Sequence, residues 1–312
     1  MSIIPTHQVD VIDNMVYFEE PTTGENPVGA PTLKPVPLVS SMNKTESWRN
    51  DVRFVLGKID RHAVLKSKKE NNFSVTYDLY DTLFFRYGTE LPGGTGTIEK
   101  TLCFILPIKL NGQTYYKRFR GCITDTVNIA VEEYYTVDHS WIAQSVSEYM
   151  TLDELKLDLG LTTTTVLTFP AFPTHIAWTN LKPAATTNKP LTVNGVQTFM
   201  VSLNLSIERG PTPAEATANE TFFFIKSGYR KITGSMTLYL TSKTIDTLFR
   251  AFTQFLLVYK LSDTPACDMT VSNTVITSMS DGLSAGENSY VMLECNIDGG
   301  TFTVTAVDAD NP

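Results

Sequence analysis

The chain has 312 residues, enough for two ordinary domains that each bury a core. Hydrophobic residues make up 42% and charged residues 19%, with Thr, Val, Tyr and Phe abundant, which argues against disorder and for a β-rich globular chain. A formal net charge of −8 argues against a surface that grips nucleic acid, since phosphate binding needs clustered Lys and Arg.

The first segment, 1–38, lacks the basic and apolar regions of a signal peptide in 1–13, so the mature protein is expected to begin near Met1. It is rich in proline and reads as an extended arm that lies along a surface rather than inside a sheet. From 39 to about 150, short apolar and β-branched runs predict strands. In 73–79 the odd positions are apolar against Ser74, Thr76 and Asp78, the period of a strand with one buried face. The basic run Lys66 to Lys69 is short enough to read as a solvated loop. The stretches 101–110 and 113–122, joined by Asn111-Gly112, predict a hairpin, because Asn-Gly supplies the positive φ of a tight turn.

A short helix is expected at 151–157, a Thr-rich linker at 162–165 and a domain boundary near 160. Beyond it, 221–225, 232–240, 269–279, 290–297 and 301–307 read as strands. Ile245, Leu248, Phe249, Phe252 and Leu256 recur at helical spacing and predict one amphipathic helix over 244–258, covering an edge or open end of a sandwich or barrel. No stretch is long and apolar enough to predict a membrane-spanning helix. Cys103, Cys122, Cys267 and Cys295 are widely spaced with no C-x-x-C pair and read as buried thiols, with any of three disulfide pairings left open.

The two halves are weakly self-similar. Asp81-Thr82-Leu83-Phe84 recurs as Asp246-Thr247-Leu248-Phe249. Upstream, 74–79 resembles 235–240 and 64–67 resembles 224–227; downstream, Thr124-Asp125-Thr126-Val127 resembles Ser272-Asn273-Thr274-Val275. The order of the matches is preserved, which favours a duplication, although the helix of the first copy shortens to about 80–86.

The passage 228–238 followed by the helix at 244–256, then 267–279, the turn at 280–287 and 289–297, resembles the tail tube proteins of long-tailed, siphovirus-like bacterial and archaeal viruses. The resemblance covers most of 201–307 and, more loosely, 39–143. It implies a mainly β chain of two tandem β-sandwich or β-barrel domains, each with one flanking α-helix. The domains would be 39–160 and 161–312, after the arm 1–38. It further implies a structural virion subunit assembled in the host cytoplasm. Three chains would form each pseudo-six-fold ring, and rings would stack around a channel for viral DNA. Implied partners are the tape-measure, tail terminator and baseplate proteins, with DNA passing the lumen without specific binding and no membrane insertion. An acidic lumen would repel phosphates over a Debye length of about 10 Å. The loop 88–99 and the arm are candidate ring-to-ring contacts.

No catalytic, cofactor or metal residue is nominated. His7, His62, His139 and His175 share no ligand spacing, there is no G-x-S-x-G elbow, and Gly93-Gly94-Thr95-Gly96 lacks the Lys-Ser/Thr of a phosphate loop. Glu132-Glu133 would point to opposite faces of a strand, so they cannot serve together as paired acids; Asp138-His139 offers no clearer pair. Trp48, Trp141 and Trp178 fit a core or interface better than a sugar groove. The competing reading is a β-sandwich binding module of a baseplate or receptor-binding protein that recognises surface glycans.

Overall fold

The computed structural model describes residues 9–10, 15–21, 24–36, 39–53, 63–79, 82–89, 101–131, 135–170, 191–214, 224–226, 228–240, 243–263, 266–282 and 291–304. The fold is mainly β and antiparallel. The first half contains β1 (Val9–Asp10), β2 (Val16–Glu19), β3 (Lys34–Pro35), β4 (Val39–Arg53), β5 (Ala63–Asp78), α1 (Thr82–Thr89), β6 (Leu102–Leu110), β7 (Gln113–Val131), β8 (Tyr135–Ala143), β9 (Ser145–Val146) and α2 (Leu152–Asp158). The second contains β10 (Leu191–Val193), β11 (Val196–Thr198), β12 (Met200–Glu208), β13 (Thr212–Ala214), β14 (Phe224–Lys226), β15 (Lys231–Tyr239), α3 (Thr244–Arg250), β16 (Phe255–Asp263), β17 (Ala266–Gly282), β18 (Met292–Gly299) and β19 (Thr301–Val304).

Local chemistry accounts for several of these elements. Asn111 and Gly112 take φ of 52° and 79°, the left-handed pair that closes a two-residue hairpin, and Leu110 faces Gln113 across it. In β5, Phe73, Val75 and Tyr77 are buried, as their alternation predicts. Thr151 caps α2 in a reciprocal box with Glu154.

Other expectations change. The helix expected over 244–258 stops at Arg250: Ile245 and Leu248 are buried, whereas Phe252 is 65% exposed with φ of 45° and Leu256 is 45% exposed. From Phe255 the buried residues are Phe255, Leu257, Tyr259 and Leu261, a period of two, and pairing with β10 and β17 holds this stretch as a strand. The first helix, expected over about 80–86, runs Thr82–Thr89, with 80–81 outside the described residues. Lys66 to Lys69 lie in β5 rather than in a loop, because the ladder with β4 runs on past them. Within the segment read as an arm, Met15, Val16, Tyr17 and Phe18 are buried and β2 pairs with β6, while Val28 among the prolines is fully exposed. Loop 90–99, the turn 283–287 and the Gly93 to Gly96 motif lie outside the described residues.

Eight strands form one continuous antiparallel sheet in the order β4, β5, β8, β7, β12, β15, β18, β17. Four come from each half. The long strands β7 and β17 leave this sheet at one end. There β7 pairs with β6 and β9, and β17 pairs with β16 and β19, which builds a second layer over each half. Between the layers Phe104 packs against Phe73 and Trp141, with ring centroids 5.3 and 4.9 Å apart.

The two halves repeat one strand order and share its irregularities. The β4–β5 ladder shifts between Val39 and Ser41, and the β12–β15 ladder between Met200 and Ser202. The β6–β7 ladder shifts between Leu102 and Phe104, and β16–β17 between Phe255 and Leu257. The β7–β8 ladder shifts between Thr124 and Thr126, and β17–β18 between Ile276 and Ser278. Bulges are specific features of a ladder, so each coincidence carries weight. Ser74 faces Ser140 as Ser235 faces Asn296, the alignment read in the sequence. Two other matches shift. Thr124 corresponds in ladder position to Ile276, not Ser272, and Val64 pairs with Val52 where Ile225 pairs with Pro213.

An outer layer covers the first half alone among the described residues. Leu155 from α2 and its C-cap Leu159, with Leu161 and Leu167 beyond, pack on Val16, Phe18, Cys103 and Ile105. Phe169 stacks on Tyr116 at 5.3 Å, so residues on both sides of the Thr-rich segment 162–165 pack on the first half. Arg118, fully buried, fastens this layer: its Nη1 donates to Asp158 Oδ2 and to the Asp158 carbonyl, both at 2.8 Å, and to Asn26 Oδ1 at 3.1 Å. Nearby, the buried Glu20 carboxylate accepts from the Gly24 and Gly121 amides at 2.6 and 3.0 Å and from Thr101 Oγ1 at 2.8 Å. Burial raises its pKa and these donors pull it part of the way back. In the second half the same outer face carries Thr192, Val258, Thr270 and Thr303, with Thr303 exposed.

Candidate functional site

The eight-stranded sheet has one face in the core and one face outside it. Strand alternation puts Val127, Ile129, Leu203, Leu205, Met236, Leu293 and Ile297 on the buried face. The opposite face is built from small polar residues: Ser74 and Thr76 on β5, Thr136 and Ser140 on β8, Thr126 and Asn128 on β7. It continues with Ser202, Asn204 and Ser206 on β12, Thr233, Ser235 and Thr237 on β15, and Asn296 on β18. Asp78, Asp138, Glu208, Glu294 and Asp298 add negative charge to it, and Lys231 stands opposite Glu208 at one end. Burial raises the pKa of Asp78.

This face is concave. A cleft of about 520 Å³ crosses it, lined by Asn128, Asp138, Asn204, Ser235, Asn296 and Asp298 among others. Its polar groups bond to one another across strands. Ser206 Oγ donates to Asn128 Oδ1 at 2.7 Å, Asn296 Nδ2 donates to Ser278 Oγ at 2.7 Å, and Thr76 Oγ1 donates to Asp138 Oδ1 at 3.4 Å. Such a surface is polar and weakly negative, so a polyanion beside it meets more repulsion than attraction.

The halves meet along β7 and β12, where residues 126–131 pair with 203–208. The Arg209 amide donates to the Asp125 carbonyl at 2.8 Å, and Arg230 Nη1 donates to the carbonyls of Thr89 and Phe302 at 2.6 and 3.1 Å. Phe85 of α1 meets Phe302 edge-on at 5.9 Å, and Tyr259 donates its hydroxyl proton to the Tyr135 oxygen at 3.1 Å. This junction is therefore packed and hydrogen-bonded like a domain core.

Among the described residues, those weighed for chemistry on the strength of the sequence do not converge. His139 is sealed in the core, stacked on Trp141 at 4.1 Å, with Thr124 Oγ1 3.0 Å from its Nε2 and Tyr77 Oη 3.4 Å from its Nδ1. His7, His62, His175, Glu132, Glu133 and Trp178 lie outside the described residues. Cys103, Cys122, Cys267 and Cys295 are buried free thiols; burial pushes Cys103 up to about 12 and Cys295 up to about 11. Among the described residues no group of three His, Cys, Asp or Glu side chains is placed to hold a metal ion, and no helix is long and apolar enough to cross a membrane.

His139 makes the fold acid-sensitive. Burial, and then the charge of Arg209, hold its pKa well below the ordinary value, so it stays neutral when folded while the unfolded chain protonates it below about pH 6.5. Its stabilising contribution is present above about pH 6.5. It is lost as pH falls toward the folded pKa, by up to about 1.4 kcal/mol per pH unit. Replacement by cysteine, the residue at the matching ladder position Cys295, should flatten the difference between urea midpoints at pH 7 and pH 5. An unchanged difference would remove His139 from the account.

The strand Met200–Glu208 was not expected from the sequence, although Ser202, Asn204, Ser206 and Glu208 alternate there with apolar residues, and the sequence did not say which strands lie side by side. A protein-family model described as phage tail tube protein matches residues 18–306. No curated protein matches the chain.

Proposed function

The chain belongs to the phage tail tube protein family and is a structural subunit of a virion tail; from that premise we propose that it carries two tube domains and closes, as three copies, into a pseudo-six-fold ring. The first domain would run through Phe169, because Leu161, Leu167 and Phe169 pack with the first half, rather than ending near 160. The second would span the described strands from β10 to β19.

One observation carries this reading: the chain contains its own seam. β12 of the second half lies on β7 of the first, and the strands in the matching positions, β4 and β17, stand at the two ends of the eight-stranded sheet. A head-to-tail contact between copies can repeat the internal seam, and a rotation that closes leaves no open edge. The polar, weakly negative face would then line the channel, where Asp138, Glu208, Glu294 and Asp298 would repel passing phosphates. Stacked rings, the tape-measure, terminator and baseplate proteins, and DNA sliding without specific binding complete the proposed setting.

Negative-stain microscopy and sedimentation velocity of the purified protein test it. Rings of three chains with a central hole, stacking at high concentration, are the expected result. Discrete oligomers that never stack at any concentration or salt would favour the glycan-binding module instead.

A further inference from the structure

The register of the internal seam, carried to a seam between copies, brings two charges together. Inside the chain, Leu205 of β12 stands opposite Ile129 of β7, both on the core side. Lys44 faces Phe73 in the ladder position where Leu205 faces Gly234. Asp281 follows the shift at Ser278 as Ile129 follows the shift at Thr126. When β4 of one copy lies on β17 of the next in this register, Lys44 falls opposite Asp281.

Both residues stand on the core side of their strands, Asp281 exposed and Lys44 half-buried in the single chain. Asp281 is paired with Leu293, which is 3% exposed, and Lys44 Nζ lies 5.9 Å from the centroid of the Phe119 ring. On the channel side, Thr45 would meet Ser280, where the internal seam has the hydrogen bond between Ser206 and Asn128.

The isolated chain also holds surplus positive charge here. Lys44, Lys69 and Lys117 converge on the carboxylate of Glu46, with Lys117 Nζ 3.0 Å from it. Burial and the neighbouring ammonium groups push Lys44 down to about 7. A carboxylate arriving from a neighbour relieves that crowding.

We propose that Lys44 and Asp281 of adjacent copies form an inward-facing ion pair that selects which edges join and in what register; it rests on the ring reading above. Joining two β4 edges, or two β17 edges, brings like charges to one seam. A one-residue slip sets Lys44 opposite Ser280 or Gly282, which belong to the channel side, and leaves both charges on the core side without partners. Before assembly, charges pointing inward on edge strands discourage non-specific pairing.

Charge reversal tests the pair under conditions where the wild-type chain forms rings. Lys44→Asp and Asp281→Lys should each weaken association by more than about tenfold, and the double reversal should restore most of the loss. An equimolar mixture of the two single variants should give open oligomers, since a ring of three cannot alternate them. Single variants that assemble like wild type, or a double variant as defective as the singles while its monomer melts normally, overturn the pair. A second measurement is independent of charge: chains carrying Thr45→Cys and Ser280→Cys should cross-link into trimers under oxidation. Efficient cross-linking of Thr45→Cys with Ser278→Cys instead would disprove the register. Wild-type chains that never form rings remove the ring reading itself, and the pair with it.

Discussion

Truncating Trp141 to alanine should lower the unfolding free energy by about 3–5 kcal/mol, the cost of deleting a large side chain from a packed core. Trp141 is 2% exposed at the centre of an aromatic cluster, with the rings of His139, Phe104, Phe84 and Phe73 at 4.1, 4.9, 5.9 and 6.4 Å. These rings come from β5, α1, β6 and β8, so the cavity would loosen both layers and the packing of α1 on them. In a thermal melt the loss corresponds to a fall on the order of 10 °C. Trp141→Phe should cost only about 1–2 kcal/mol, because it keeps most of the contact and removes an indole N–H that meets no acceptor among the described residues. If alanine and phenylalanine cost the same, packing is not what Trp141 contributes.

The second large effect belongs to Arg118. Arg118→Met should destabilise the chain by about 3 kcal/mol, since it removes the charge that neutralises Asp158 and the donor shared with Asn26. The figure sits at the low end for a buried pair because the Asp158 side chain is 32% exposed and can take up water. The damage should be local. Hydrogen exchange should accelerate in 24–36 and in α2, while the β5, β8, β7 and β12 ladders keep their protection. Exchange that rises evenly across both halves would show that Arg118 supports the whole sandwich rather than its outer layer.

How much of this was readable beforehand depended on how local each cause was. Asn111-Gly112 set its own turn, and the alternation from Phe73 to Leu79 set its own buried face. Phe252 and Leu256 fell at helical spacing by coincidence. The same stretch also carries Leu257, Tyr259 and Leu261 at strand spacing, and contacts with β10 and β17 decided between the two periods. Met15 to Phe18 was masked by the prolines around it, although a run of four apolar residues needs burial. Arg118 looks like one solvent-facing residue of an alternating strand; the layer that covers it comes from residues 24–33 and 152–169, and nothing in the strand announces their arrival. The proposed opposition of Lys44 and Asp281 could be drawn only once the internal seam had a register.

The outer layer held by α2 clothes the sheet of one half, and among the described residues the other half shows a thinner wall dotted with threonines. In a ring of three chains the outside would then alternate a padded facet with a bare one, even though the bore repeats six times. Whatever grips such a tube from outside would find three footholds per ring, where the strand order around the bore would offer six.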